Sequence, residues 1–302
     1  MPEDDYLWNQ SGSPDPEIVR LEKQLQRFAS PPPRLRHRRP VWRWIAIAAG
    51  LALSIVAWRT SRPAPESVWQ LESGRKLALG EKISTGPSQS ASLAAHSVGS
   101  LRLAPNSTLQ VVRSGPGDQR LALSQGTLHA VIWAHSKSFS VETPAGTSID
   151  LGCAYSLTVE QDGTGLVSVS TGWVAFQAGQ QESFIPAGAA CRTLPRKGPG
   201  LPYFTDASRE FTQAIEHWES TGNAEELLSE ARPRDAITLW HLLQRTQGAA
   251  RRQVVLRLSQ LLPQVDAAGL ERGDPAAITH AWNALGLGTA DWWRSWKHPW
   301  AG

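Results

Sequence analysis

Apolar positions change their spacing several times along the chain, and each spacing predicts a different element. Between residues 15 and 29, Ile18, Leu21, Leu25 and Phe28 recur at intervals that place them on one face of a helix. Asp15 suits the N-cap, Pro16 the first helical position and Glu17 the positive helix end. A helix of about 14 residues is marginal alone. Residues 1–40 offer it no core, so the stripe calls for a partner protein, a second copy of itself or a membrane surface. The run Pro31–Pro33 stops it. Then Val41 to Trp58, VWRWIAIAAGLALSIVAW, is apolar or small apart from Arg43. As a helix it would span about 27 Å, close to the hydrocarbon thickness of a bilayer. Trp42, Trp44 and Trp58 bracket it as interfacial anchors, and Arg43 can snorkel outward.

From 68 to 200 the period becomes two. Leu101 and Leu103 face one way and Ser100 and Arg102 the other, and Leu166, Val167, Val169 and Val174 follow a similar alternation. Gly115-Pro116-Gly117, Asp162-Gly163 and Gly179 mark turns. About ten short strands are expected. From 201 to 302 the helical period returns. Faces are set by Phe211, Ile215 and Trp218, by Ile237, Trp240 and Leu243, by Val254, Leu258 and Leu261, and by Ile278, Trp282 and Leu285. Four or five short helices are expected. The ending DWWRSWKHPW should pack back on the helices or strands. The fold class is therefore a mainly β ectodomain followed by a small α-helical domain, with one N-terminal transmembrane helix (41–58) and a linker over 59–67.

Charge sets the orientation. Arg34, Arg36, Arg38 and Arg39 precede the apolar run and only Arg59 and Arg62 follow it closely, so residues 1–40 belong on the cytoplasmic side of the membrane and the bulk of the chain on the outer side. The late start and the lack of an A-x-A site argue against a cleaved signal peptide. The whole chain carries +3, and the part after residue 43 holds 22 Lys/Arg against 21 Asp/Glu. A near-neutral ectodomain does not bind nucleic acid directly.

Candidate chemistry is sparse. No H-E-x-x-H, G-x-S-x-G, Walker or dinucleotide motif occurs, and Ser73-Gly-Arg-Lys76 matches S-x-x-K without its companions. The histidines are scattered; His129 suits an outer strand face, and His217, His241 and His280 suit polar helix faces. No enzyme, no cofactor and no metal site is expected. Cys153 and Cys191 fall on the outer side, where disulfides persist. A bridge would close a loop worth about 4 kcal/mol, and two buried thiols are the alternative.

The β-region resembles the FecR family, single-span regulators of extracytoplasmic-function sigma factors in iron-siderophore signalling. The residues that carry the likeness are LALGEKISTG (77–86), SASLAAHSVGSLRLAPNSTLQVV (90–112), LALSQGTLHAVI (121–132), FSVETPAGTSIDLGCAYSLTVE (139–160), LVSVSTGWVAF (166–176) and FIPAGAAC (184–191). The resemblance implies a wound, solenoid-like β-module, and a sandwich fits the strand count nearly as well. Gly152-Cys153-Ala154-Tyr155 stands where the family has Gly-Thr before an aromatic strand, and Cys191 closes the module; this pairing of departures favours the bridge. The cytoplasmic part is shorter than in iron-signalling members and the ending is helical, so receptor coupling is not implied. The function expected is a signalling regulator. Its outer β-domain would bind an envelope protein or glycan, and Ile18, Leu21, Leu25 and Phe28 would hold a cytoplasmic protein such as a sigma factor. The alternative is a non-signalling envelope scaffold or cell-wall-binding protein.

Overall fold

The structure, a computed structural model, describes residues 13–28 and 66–288. The chain separates into two units, residues 1–63 and 64–302. In the first, helix α1 (Pro16–Leu25) runs into a single 3₁₀ turn at Gln26–Phe28. Among the described residues no helix is long and apolar enough to cross a membrane. The expected span at 41–58, its anchors Trp42, Arg43, Trp44 and Trp58, and the tryptophan-rich ending all lie outside the described residues.

The second unit begins with strands β1 (Glu66–Leu71), β2 (Lys76–Ala78), β3 (Lys82–Ser84), β4 (Ala91–Ala95), β5 (Gly99–Leu103), β6 (Thr108–Gly115), β7 (Asp118–Ile132) and β8 (Phe139–Thr143). It continues with β9 (Gly146–Asp150), β10 (Ala154–Val159), β11 (Gly165–Thr171), β12 (Trp173–Ala178), β13 (Gln181–Pro186), β14 (Ala189–Leu194), β15 (Gly198–Pro199) and β16 (Tyr203–Phe204). The described strands number sixteen rather than about ten, because glycine-marked turns cut several expected runs in two. They form two layers. The first runs β2-β1-β4-β5-β7-β10-β11-β14, with β15 and β16 both on β14. The second runs β3-β6-β7-β8-β9-β12-β13. The described pairings are antiparallel except β7 with β8.

Strand β7 belongs to both layers. Its start pairs with β6 and β8, and its end with β5 and β10. The inward parity changes on the way: Leu121 and Leu123 are buried before the switch, Leu128 and Ala130 after it. The switch sits at Gly126, where φ is +94° and a side chain would land on Ser107; only glycine suits that left-handed crossing. One core fills the space between the layers, with Trp69, Leu93, Leu101, Leu103, Leu157 and Val167 from one side and Leu109, Val141, Val174 and Phe176 from the other. The module is thus a sandwich of two sheets joined by a shared strand, not a solenoid.

Helices follow: α2 (Arg209–Thr221), α3 (Glu225–Glu230), α4 (Ala236–Arg245), α5 (Gly248–Leu261), α6 (Ala267–Arg272) and α7 (Pro275–Ala284). Ser208, Asp266 and Asp274 cap α2, α6 and α7 through side-chain bonds to backbone N–H groups. Their apolar faces share a second core with Ala175 of β12 and Phe184 of β13. The helices therefore cover the outer face of the second sheet at β12 and β13. Trp282 lies at the centre, its ring centroid 4.7 Å from Trp240, 5.7 Å from Trp173 and 5.9 Å from Phe184; such pairs add about 1 kcal/mol each beyond area burial. This double burial explains why β12 and β13 depart from strict alternation.

Candidate functional site

Helix α1 is built as its sequence predicts. Asp15 is extended, with φ −60° and ψ 138°, and its carboxylate accepts from Glu17 N at 2.9 Å. Pro16 occupies the first turn and Lys23 the last. No residue of the helix is buried. Leu21, Leu25 and Phe28 are 56%, 62% and 80% exposed, and Ile18 is half-buried. At about 100° per residue, Ile18, Leu21 and Leu25 fall within one narrow sector. Glu17 and Glu22 flank it on either side, while Arg20, Lys23 and Arg27 occupy the opposite face. Val19, 44% exposed, is an apolar side chain that the spacing argument did not single out. Burying a leucine of this stripe in a partner would contribute about 1.5–3 kcal/mol.

The expected disulfide is absent: Cys153 and Cys191 are both free and buried. Register explains it. Strand β11 lies between β10 and β14; Ala154, next to Cys153, stands opposite Thr171, and Cys191 stands opposite Val167. The two cysteines are separated by two strand spacings, about 10 Å, and by about four residues or 13 Å along β11, whereas a bridge needs Cα atoms within about 7 Å. Each thiol has another role. Cys153 donates to the carboxylate of Asp150. Cys191 donates to the carbonyls of Arg192 and Gly200 at 3.3 and 3.4 Å. Burial pushes the Cys153 thiol far up, with the neighbouring Asp150 charge adding to it, and pushes Cys191 up to about 12. Thiols held protonated in this way are poor nucleophiles and poor metal ligands.

Asp150 is fully buried where β9 leaves one sheet for β10 in the other. It turns the chain by accepting from Gly152 N at 2.9 Å. Burial raises its pKa to about 6, against the lowering effect of the Cys153 thiol and nearby backbone N–H groups. Tyr155 and Ser148, both buried, complete this polar island.

A second polar cluster holds the helices to the sandwich. Arg245 of α4 donates to the carbonyls of Pro199 and Gly200, each at 3.0 Å, and to Ser183 Oγ at 2.7 Å. Burial lowers its pKa, offset by Cys191 and Glu219. Glu219 of α2 has its carboxyl raised, chiefly by burial, with Arg192 and Arg245 pulling it back. Arg192 pairs with Glu216 at 2.7 Å and lies 3.9 Å from Glu219. A cleft of about 470 Å³ opens beside these groups, walled by Trp218, Pro199 and Arg196. His241 is buried rather than on a polar face. Its Nδ1 faces the carbonyl of Ile237 at 2.9 Å, which leaves Nε2 to accept from Phe184 N at 3.0 Å, so it caps the edge of β13. His129 does lie on an exposed outer face. Among the described residues no group of three or more His, Cys, Asp or Glu is placed to hold a metal ion.

Residues 81–175, from the approach to β3 to the middle of β12, match the family model described as FecR protein. The match lies wholly within the two-sheet sandwich. No curated protein matches the chain. Two solved structures of a candidate anti-sigma factor from Parabacteroides distasonis ATCC 8503, at 1.65 and 2.50 Å resolution, are similar at 15% and 16% identity with TM-scores of 0.37 and 0.38. Each comparison covers 47% of this chain and 65% or 66% of the other, just under two thirds of its length. The FecR match stops short of the helices, so α2 to α7 and the residues that dock them lie beyond it.

Proposed function

We propose that this chain is a FecR-type signalling regulator held in the bacterial inner membrane by the span at 41–58. In this reading residues 1–40 lie in the cytoplasm and the FecR domain with its helices lies in the periplasm. The apolar stripe of α1 holds a cytoplasmic regulator of the extracytoplasmic-function sigma-factor class, and the FecR domain binds an envelope partner. The observation that carries it is the pairing of a FecR domain at residues 81–175 with a short helix, assigned to a separate unit, that leaves Leu21, Leu25 and Phe28 exposed. The chemistry is binding, not catalysis. A signal crosses only if the envelope partner and the cytoplasmic regulator each favour one of two states of the protein, and the difference in affinity sets its size.

The test is co-expression of the full chain with the sigma factor encoded nearest its gene. Leu21→Asp with Leu25→Asp removes two apolar anchors and should abolish co-purification, a loss of at least about a hundredfold in affinity. Unchanged capture would defeat the reading. Deleting residues 1–30 should likewise abolish regulation, whereas a scaffold anchored only for topology would be indifferent to it.

A further inference from the structure

The two outer faces of the sandwich are not equivalent. Helices cover the second sheet at β12 and β13, while among the described residues no element covers the outer face of the first sheet. That open face has an ordered composition. Ser92, Arg102, His129, Ser156 and Ser168 stand directly opposite one another on five successive strands. Beside them runs a second row of Ala94, Ser100, Val131 and Ala154. Trp133 stands two residues beyond Val131, just past the end of β7, and is 57% exposed, with Val131 itself at 50%. Its Nε1 donates to the carbonyl of His96 at 3.0 Å, which holds the indole in place. A depression of about 490 Å³ lies over Ser92, Ser100, Arg102 and His129, with Glu72 at its rim. Among the described residues no ion pair or side-chain hydrogen bond engages Arg102, and the hydroxyls of Ser92, Ser156 and Ser168 have no protein partner.

We propose that this face binds an extended, carboxylate-bearing cell-wall glycan. The proposal rests on the reading that the FecR domain lies outside the membrane, and it names the chemistry of the envelope partner. Ser92, Ala94, Ser100, Ala154, Ser156 and Ser168 keep much of this face low, and the shallow depression over Ser92, Ser100, Arg102 and His129 is open along the strands, which suits an extended chain. Rows of hydroxyls suit the hydroxyl and amide groups of sugar rings, and a fixed indole offers its face to their C–H bonds. Successive strands lie about 4.8 Å apart, close to the rise of one ring in an extended β-linked glycan, so consecutive rings can overlie consecutive strands. The Arg102 guanidinium, without an ion-pair partner among the described residues and with His129 beside it, supplies the complement to a carboxylate.

Full-length protein in detergent micelles, mixed with purified peptidoglycan sacculi and separately with chitin as the uncharged match, tests this by co-sedimentation. Binding to sacculi and not to chitin is expected. Arg102→Glu and Trp133→Ala should each weaken it about tenfold or more, and Arg113→Ala, on the other sheet, should leave it unchanged. Wild-type protein that ignores sacculi, equal binding to chitin, or undiminished binding by the Arg102→Glu/Trp133→Ala variant would each overturn the assignment. So would a dimer that Arg102→Glu converts to monomer, since the face would then belong to a second copy. Sigma-factor capture measured in the same preparations separates the two readings. Capture without sacculus binding overturns the glycan assignment alone, and sacculus binding without capture overturns the regulator reading alone.

Discussion

Asp150 offers a direct test of how the sandwich tolerates a buried acid. Its carboxyl is fully buried and its pKa is raised from 3.8 to about 6, first by burial and against the pull of Cys153 and the Gly152 N–H. A group whose folded pKa lies above its unfolded one binds more protons in the native state. Its contribution to stability is therefore complete below about pH 4 and is lost as pH rises through about 6. The full difference corresponds to about 3 kcal/mol, a sizeable fraction of the stability of a domain. Asp150→Asn removes the titration and keeps an oxygen for the Gly152 N–H. Urea titrations followed by tryptophan fluorescence should show the variant near wild type at pH 4 and more stable by up to about 3 kcal/mol at pH 7.5. A stability difference that is the same at both pH values would refute the reasoning, because the carboxyl would then not be the group that titrates.

Two further outcomes follow from the same crossover. Gly172 has φ +71°, and a Cβ there would land on the carbonyl of Gly152; Gly172→Ala should cost about 2–4 kcal/mol in the same titration, and a loss below about 0.5 kcal/mol would show that the two loops separate readily. Cys153 and Cys191 should resist a thiol reagent at pH 8 in the native protein and both react after denaturation, with gel mobility unaffected by reductant. A mobility shift on reduction would restore the bridge that the register excludes.

Much of the fold was legible because one face of most strands is buried. Leu101 and Leu103 against Ser100 and Arg102 were read correctly from alternation alone, since the first sheet buries one face only. Alternation misled where that condition fails. Val174, Ala175 and Phe176 of β12 are all buried because helices cover the far side, and nothing within six residues of sequence announces a third layer. Leu166 was grouped with Val167 and Val169 as apolar, yet it points outward from β11 while they point in. The short helices α3 and α6, six residues each, escaped because six residues barely complete one and a half turns, too few for a period to register.

The site was legible in proportion to how local its chemistry is. The α1 stripe depends on spacing within a few turns, and the helix carries it as read, capped by Asp15. The cysteine pairing depends on register between strands that are not adjacent. Sequence separation and compartment favoured a bridge, but β11 intervenes between β10 and β14, and no local pattern reports which strand lies between two others. The row from Ser92 to Ser168 has the same origin. Each member is an ordinary polar residue on its own strand, and Arg102 reads as a solvated charge. Only the order β4-β5-β7-β10-β11 aligns five such positions into one surface, while the helices docked through Arg245 and His241 pack on the other sheet. A binding face assembled across non-consecutive strands is a property of topology. A sequence can supply its residues without showing that they meet.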